Sequence, residues 1–391
     1  MNPSFDIIII GAGVTGLSCA AHLQGQGRSV ALVESHGSHE GSDRASFNSA
    51  GLIFGGQSDN FTRVSHAHGA AFARELWTYG DYCFDQLTDF LGQHEIPWQR
   101  HRRLRLITSA HELKESTLAV EQLKSAGFRV ELVSVDSKPR ADLPSCLPRV
   151  VAIQDDGDRG GWVDPRALLS ALDKTCIGTT RINTMAMSVE PGAQGVIVRD
   201  HQGQTFKAEI VVVAAHLHTG ALLPALHDVL ISVAEQWCLV ETPDRKSWSS
   251  PGIVFSANHG YEWGVTVSPH QVVLGGGRYL RPLAGIEAKE ASVLPKITAH
   301  LIDQAEKTYP WGQELKVISE TAGLDCRPCD ELPVIGPMYG EPRVLLAAGY
   351  MGAGLTMGYG AGKCLSELVL TGRSSSLPRR LWPERLRSLP T

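Results

Sequence analysis

The chain has 391 residues, 43% of them hydrophobic and 20% charged, with 40 glycines and a formal net charge of −5. That length exceeds one ordinary hydrophobic core and predicts two domains, and the composition excludes a disordered or fibrous protein. No Lys/Arg stripe follows a helical segment and no apolar run approaches the roughly 20 residues of a membrane span, so nucleic acid is excluded as a partner and no transmembrane segment is expected.

Residues Asp6 to Ile10 form a β-branched run, and Gly11 to Gly27 follows with helical apolar spacing at Leu17, Ala20, Ala21 and Leu23. Ser29 to Glu34 then reads as a second strand, which completes a βαβ unit and predicts a parallel sheet. The acid inside the first apolar run and the lack of a basic region before it argue against a secretory signal. Eight cysteines spread over the chain fit reduced thiols, and the cytoplasm is the expected compartment.

Thr62 to Leu91 has a long helical pattern that His66 and His68 are expected to open, and Leu104 through Val135 alternates helix and strand signals as an insertion. Trp162 to Asp173 predicts a helix with Pro165 near its first turn, and Gly195 to Ala215 a hairpin ending in the buried run Ile210 to Val213. Strands dominate from Ile231 to Arg278 and predict an antiparallel sheet. A helix is expected near Ala288–Lys307, and Val344 to Gly349 returns to a βα pattern before Leu355–Leu370. The basic run Arg379, Arg380, Arg385 and Arg387 is expected to be a solvated tail.

Chemistry concentrates at Gly11-Ala12-Gly13-Val14-Thr15-Gly16, between strand and helix. One glycine makes the tight turn, one lets backbone approach a pyrophosphate, and one packs helix on sheet, while the helix N-terminus offers unpaired N–H groups to phosphate. Glu34 closes the next strand, where a carboxylate accepts hydrogen bonds from ribose hydroxyls. This pattern predicts a bound dinucleotide and does not separate FAD from NAD.

Further segments resemble the D-amino acid oxidase, glycine oxidase and sarcosine oxidase family of FAD-dependent amine oxidoreductases over nearly the whole chain. Besides the fingerprint they are Arg44 to Ile53, similar to the family's small-residue loop along the pyrophosphate and flavin; Asp330 to Gly336, close to its D-x-x-P-x-x-G run; and Ala348 to Thr356, similar to its glycine-rich loop under the flavin. The resemblance implies an α/β fold: a Rossmann-like FAD-binding domain with a parallel sheet, from residues 1–84, 150–228 and 320–391, and a mainly antiparallel α+β substrate domain, from 85–149 and 229–319.

It implies that Gly11, Gly13, Val14, Thr15, Gly16, Glu34, Ser35, Arg44, Ala45, Ser46, Asn48, Ala50, Gly51 and Leu52 hold the cofactor. Met187, Ala214, Ala215, Gly323, Gly349, Met351, Gly352, Ala353, Gly354, Leu355 and Thr356 complete the expected cofactor contacts. The position of the family's covalent-FAD cysteine falls at Gly323, so the FAD is expected to be non-covalent. The implied chemistry is hydride transfer from a small amine or amino acid to flavin N5, hydrolysis of the imine, and reoxidation by O2, a quinone or another acceptor. Oxidation of 2-hydroxy acids or polyols, or flavin binding without turnover, are the competing readings. No metal is expected, and oligomeric state is not legible.

The chain departs from the family where many amino-acid members carry Gly-Leu-Arg with a carboxylate-clamping arginine. In this register Asp325 takes that place, and Arg327 lies two residues on, on the same face of a strand. Either Arg327 reaches the substrate from a displaced position, or Asp325 faces the flavin and favours a cationic substrate, or Asp325 is a paired structural acid. Arg278 and Tyr261 are the other candidate substrate contacts, against a surface salt bridge and core packing. Cys326-Arg327-Pro328-Cys329 spells C-x-x-C, without a second pair to make a zinc site. His216 is bulky where the family has glycine beside the adenosine.

Overall fold

Ile7, Ile8, Ile9 and Ile10 are all buried, as a strand covered on both faces requires. The computed structural model describes residues 3–35, 45–135, 149–242, 252–308 and 314–388. In it the strand Ser4–Ile10 is the middle of a parallel ladder, with Thr205–Val213 and Glu341–Ala348 to one side and Val30–Glu34 and Thr180–Asn183 to the other. Val334–Met338 closes one edge antiparallel to Glu341–Ala348. The expected hairpin is present as Gly195–Asp200 paired with the first half of Thr205–Val213, and Ala186–Gly192 extends it.

Alternate residues of the central strand feed different cores. Ile7 and Ile9 pack with the helices Val14–His22, Pro165–Thr175 and Gly354–Thr371, whereas Ile8 and Ile10 pack toward Val196, Val198 and Leu226. The helix from Gly354 lies against the helix from Val14 closely enough that a Cβ on Gly358 would meet Val14 and Thr15, and one on Gly362 would strike the Thr15 carbonyl. Spaced i, i+4, these two glycines form one flat stripe that brings the N- and C-terminal segments together.

The second sheet is antiparallel apart from one parallel contact, between Ile253–Ala257 and Trp98–Ile107. Its long strand Leu230–Glu241 pairs with Lys316–Pro328 on one side and with Gln271–Gly276 on the other. Glu262–Ser268 and Ile253–Ala257 continue the order. Cys238, Val240 and Leu274 turn outward under the helix Pro295–Thr308, while Trp237 and Leu239 turn inward to the main core. The second sheet therefore lays one face over the nucleotide fold.

Several expectations change. Residues 152–155 and 320–328, read from sequence into the FAD-binding part, run in the second sheet, because Lys316–Pro328 pairs along its length with Leu230–Glu241 and Ala152–Asp155 pairs with Trp98–Ile107. Trp162 belongs to the strand Gly160–Val163, and the helix starts at Pro165 with Asp164 as N-cap. The later helix starts at Pro295, where proline suits the first helical turn. Gly69, at φ 89°, divides Phe61–His68 from Ala70–Gln93, so His66 and His68 end a helix rather than open one. Arg385 is not a solvated tail residue: its Nε lies 2.7 Å from the Asp330 carboxylate, and its side chain is only 12% exposed.

Candidate active site

The glycine turn has the predicted shape. Gly11 adopts φ 102°, which a side chain disfavours, and a Cβ there would strike the Ala214 carbonyl. Its N–H bonds the Val33 carbonyl at 2.8 Å, closing the turn against the neighbouring strand. No side chain of Gly13 can cap the helix it begins, and the Val14 N–H is met from another segment by Ser46 Oγ at 3.2 Å. Glu34 Oε2 accepts the Ala12 N–H at 2.7 Å, so this carboxylate stands at the turn.

The C-terminal loop meets the turn directly. Tyr350 and Thr15, both buried, share a hydroxyl hydrogen bond of 2.7 Å, and Ser18 Oγ donates to the Tyr359 carbonyl at 2.8 Å. Gly349, Met351 and Gly352 have φ of 75°, 53° and 84°, a left-handed run that leads to Ala353 as N-cap of the helix from Gly354. Ser58 Oγ donates to the Met351 carbonyl at 2.6 Å, and Thr356 Oγ1 accepts the Phe54 N–H at 3.2 Å. Two helix N-termini that lack a side-chain cap from their own N-cap residue thus open near one another, with their positive dipole ends turned to the same region.

Between them runs the small-residue loop. Trp162 Nε1 donates to the Ala50 carbonyl and Trp237 Nε1 to the Asn48 carbonyl, each at 3.2 Å, so indoles from the second sheet fix the loop. Gly51 has φ 78° and accepts the Val163 N–H at 3.0 Å. Ser49 Oγ is buried without a hydrogen-bond partner, a cost a polar ligand would remove. A Cβ on Gly354 or Gly323 would meet nothing within 4 Å, so space remains at the helix start and on the overlying sheet. These residues fit a bound dinucleotide.

On that sheet face, period-two alternation sets Glu235 beside Trp237, opposite Gly323, with Asp325 and Arg327 further along the partner strand. Arg327 donates to Glu235 Oε1 at 2.9 Å, and its Nε lies 3.4 Å from Asp325 Oδ2. The buried Arg327 Nε–H has no hydrogen-bond partner. Arg278 Nε stands 3.9 Å from Glu235 Oε1, and its guanidinium carbon is 5.4 Å from the centre of the Tyr261 ring. Burial holds the Glu235 carboxyl above the usual carboxylate range, outweighing the attraction of Arg327.

All four expected substrate contacts, Tyr261, Arg278, Asp325 and Arg327, are therefore linked through Glu235, a residue not anticipated from sequence. Its signal was present: in Leu230–Glu241 it is an acid two positions before Trp237 and so on the same face. Of the expected cofactor residues, Arg44 lies outside the described residues. Met187 is half exposed in the strand Ala186–Gly192. His216, at φ 50°, turns its ring to the Leu324 carbonyl at 3.3 Å, clear of the Gly11 turn. Cys326 is buried and Cys329 exposed, both as free thiols. Among the described residues no helix is long and apolar enough to cross a membrane.

The family model described as DAO, FAD dependent oxidoreductase, matches residues 6–368. Glycine oxidase of Bacillus licheniformis is 25% identical over 383 residues, which cover 95% of this chain and 94% of that one. Among solved structures, L-proline dehydrogenase from P. horikoshii superposes with a TM-score of 0.77 at 16% identity, over 99% of both chains. Glycine oxidase from Geobacillus kaustophilus gives 0.75 at 17% identity, over 97% of this chain and 98% of its own.

Proposed function

The chain belongs to the DAO family of FAD-dependent oxidoreductases, and from that premise we propose that it oxidises a small amine or amino acid at the carbon bearing nitrogen. When bound, FAD supplies the acceptor for the hydride leaving that carbon. Gly11, Gly13 and Ser46 would hold the pyrophosphate half, and the helix start at Gly354 would face the flavin.

One observation carries the reading: Arg278, Tyr261, Glu235, Arg327 and Asp325 form a single charged row on the sheet face that also carries Trp237, whose indole is bonded to the cofactor loop at Asn48. Arg278 with Tyr261 suits a substrate carboxylate. Glu235 and Asp325 attract an ammonium group and give a neutral hydroxyl no comparable advantage, which favours amines over 2-hydroxy acids. A carboxyl raised by burial also takes a proton from a substrate ammonium more readily, leaving the nitrogen neutral for loss of hydride. The resulting imine would hydrolyse to a carbonyl compound and ammonia or an amine.

The test is anaerobic addition of amine, amino-acid and hydroxy-acid panels to the yellow protein while following the flavin band. Bleaching by an amine or amino acid, with the carbonyl product appearing, is the expected result. Bleaching by hydroxy acids alone, or by nothing in the panels, would overturn the proposal while leaving the family assignment intact.

A further inference from the structure

Away from the flavin-facing sheet, the helix Ala110–Ser125 presents His111 and Glu115 at i, i+4, hence on one face. The turn between the strands Ile253–Ala257 and Glu262–Ser268 brings His259 against them. Ligand atoms of His111, Glu115 and His259 all lie within 4.8 Å of one another, and Glu115 and His259 line a small pocket of about 20 Å³ together with Asp59, Arg63 and Glu112. We propose that these three side chains bind a divalent cation of the zinc type.

The surroundings favour a ligand set over a chance cluster. His259 has φ 57°, a left-handed conformation unusual for a residue with a side chain. Its N–H donates to Glu112 Oε1 at 2.6 Å, and Glu112 Oε2 in turn accepts from Thr108 N and Oγ1, each at 2.9 Å, so the ring is presented from a fixed backbone. Arg63 donates to Glu115 through Nε at 2.5 Å and through Nη2 at 3.0 Å, and Nη2 also stands 2.5 Å from His259 Nδ1. Nδ1 also lies 3.3 Å from Glu115 Oε2, so ring nitrogen and carboxylate face each other at the guanidinium.

Arg63 thus occupies, as a protein cation, the place where Glu115 and His259 converge. It keeps a second partner, Asp59, at 3.2 Å, to which it can retire when an ion takes the site. Two imidazoles and one carboxylate with an open fourth position suit zinc, whereas magnesium and calcium require oxygen ligands throughout. The bound ion would pin the turn that leads two residues later into Tyr261.

The experiment is calorimetric titration of Zn²⁺ into the FAD-loaded protein and its variants. Wild type is expected to bind one ion at this site, and His111→Ala, Glu115→Gln and His259→Ala each to weaken it at least about tenfold, since even outer partners of metal sites cost about 10–100-fold. Arg63→Gln removes the competing cation and is expected to tighten binding about tenfold. His111 is exposed, so its variant reports on the site without a folding penalty. Absence of Zn²⁺ binding by wild type, binding indifferent to His111→Ala, or weaker binding by Arg63→Gln would each overturn the assignment and leave an Arg63–Glu115–His259 network of structural use only.

Discussion

The hydroxyls of Thr15 and Tyr350, 335 residues apart in sequence, meet at 2.7 Å in the buried space between the glycine turn and the C-terminal loop. Thr15→Val keeps the shape of the side chain and leaves the Tyr350 hydroxyl buried without a partner. That is expected to cost about 1–3 kcal/mol, read as a shift in the urea midpoint. Because the two segments it ties flank the proposed cofactor site, FAD is also expected to dissociate more readily, followed by recovery of free-flavin fluorescence.

The contact between the helices Val14–His22 and Gly354–Thr371 depends on what Gly358 and Gly362 lack. Gly362→Ala would drive a methyl into the Thr15 carbonyl, which is backbone and unable to rotate aside. Overpacking of this kind typically costs about 1–3 kcal/mol, and FAD content after purification is expected to fall with it. Gly92→Ala is the control. That glycine is helical, and a Cβ there meets nothing within 4 Å, so the substitution is expected to stabilise the protein by about 0.4–1 kcal/mol.

Arg385 anchors the C-terminal segment through Asp330, with Nε at 2.7 Å and Nη2 at 3.1 Å, and donates from Nη2 to the Leu332 carbonyl at 2.7 Å. Arg385→Ala leaves a largely buried carboxylate uncompensated, expected to cost about 3–5 kcal/mol. Asp330→Asn, which keeps an acceptor for the guanidinium, is expected to cost less. Chemical denaturation of both variants distinguishes this paired anchor from a solvated tail, for which neither change would register.

The same pair shows where sequence reading stops. The βαβ unit, the glycine turn and the C-terminal loop were legible because each depends on local features: β-branched runs, glycines at steric pinch points and an acid at a strand end. Arg385 looked solvated because its partner Asp330 lies 55 residues away, beyond any local pattern. Helix starts moved to Pro165 and Pro295, where proline's fixed φ outranked apolar periodicity. Glu235 was missed although alternation placed it beside Trp237, because only strand pairing shows it between Arg278 and Arg327. The Gly358/Gly362 stripe is visible as spacing, but its use requires knowing which helix lies against it.

Glu235 also sets a pH dependence with a definite sign. Its carboxyl is held above the ordinary value of 4.5 in the folded protein, by burial first. Between that ordinary value and the raised one, the folded state binds more proton than the unfolded state, so stability falls as pH rises through this window. Glu235→Gln removes the titration. The stability of the variant relative to wild type is therefore expected to increase from about pH 4 upward and then level off. Denaturation curves at several pH values check it, and a constant difference would show that burial does not control this carboxyl.

Under the proposed amine oxidation, the two arginines of the charged row separate by what already holds them. Arg327 is committed to Glu235 at 2.9 Å and lies beside Asp325, whereas Arg278 stands 3.9 Å from Glu235 and stacks near Tyr261. Arg278 therefore has more of its hydrogen-bonding capacity left for a substrate carboxylate. A charge-assisted bond of this kind is worth about 1.5–3 kcal/mol. Arg278→Ala is thus expected to raise KM for amino acids by about 10–150-fold with a smaller change in kcat, and to leave amines without a carboxylate nearly unaffected. Arg327→Ala is expected to act on both substrate types, because it frees Glu235 and Asp325 to repel each other beside the flavin. Steady-state kinetics with a paired amino acid and its decarboxylated amine separate the roles, and equal losses for both substrates in Arg278→Ala would remove Arg278 as the carboxylate contact.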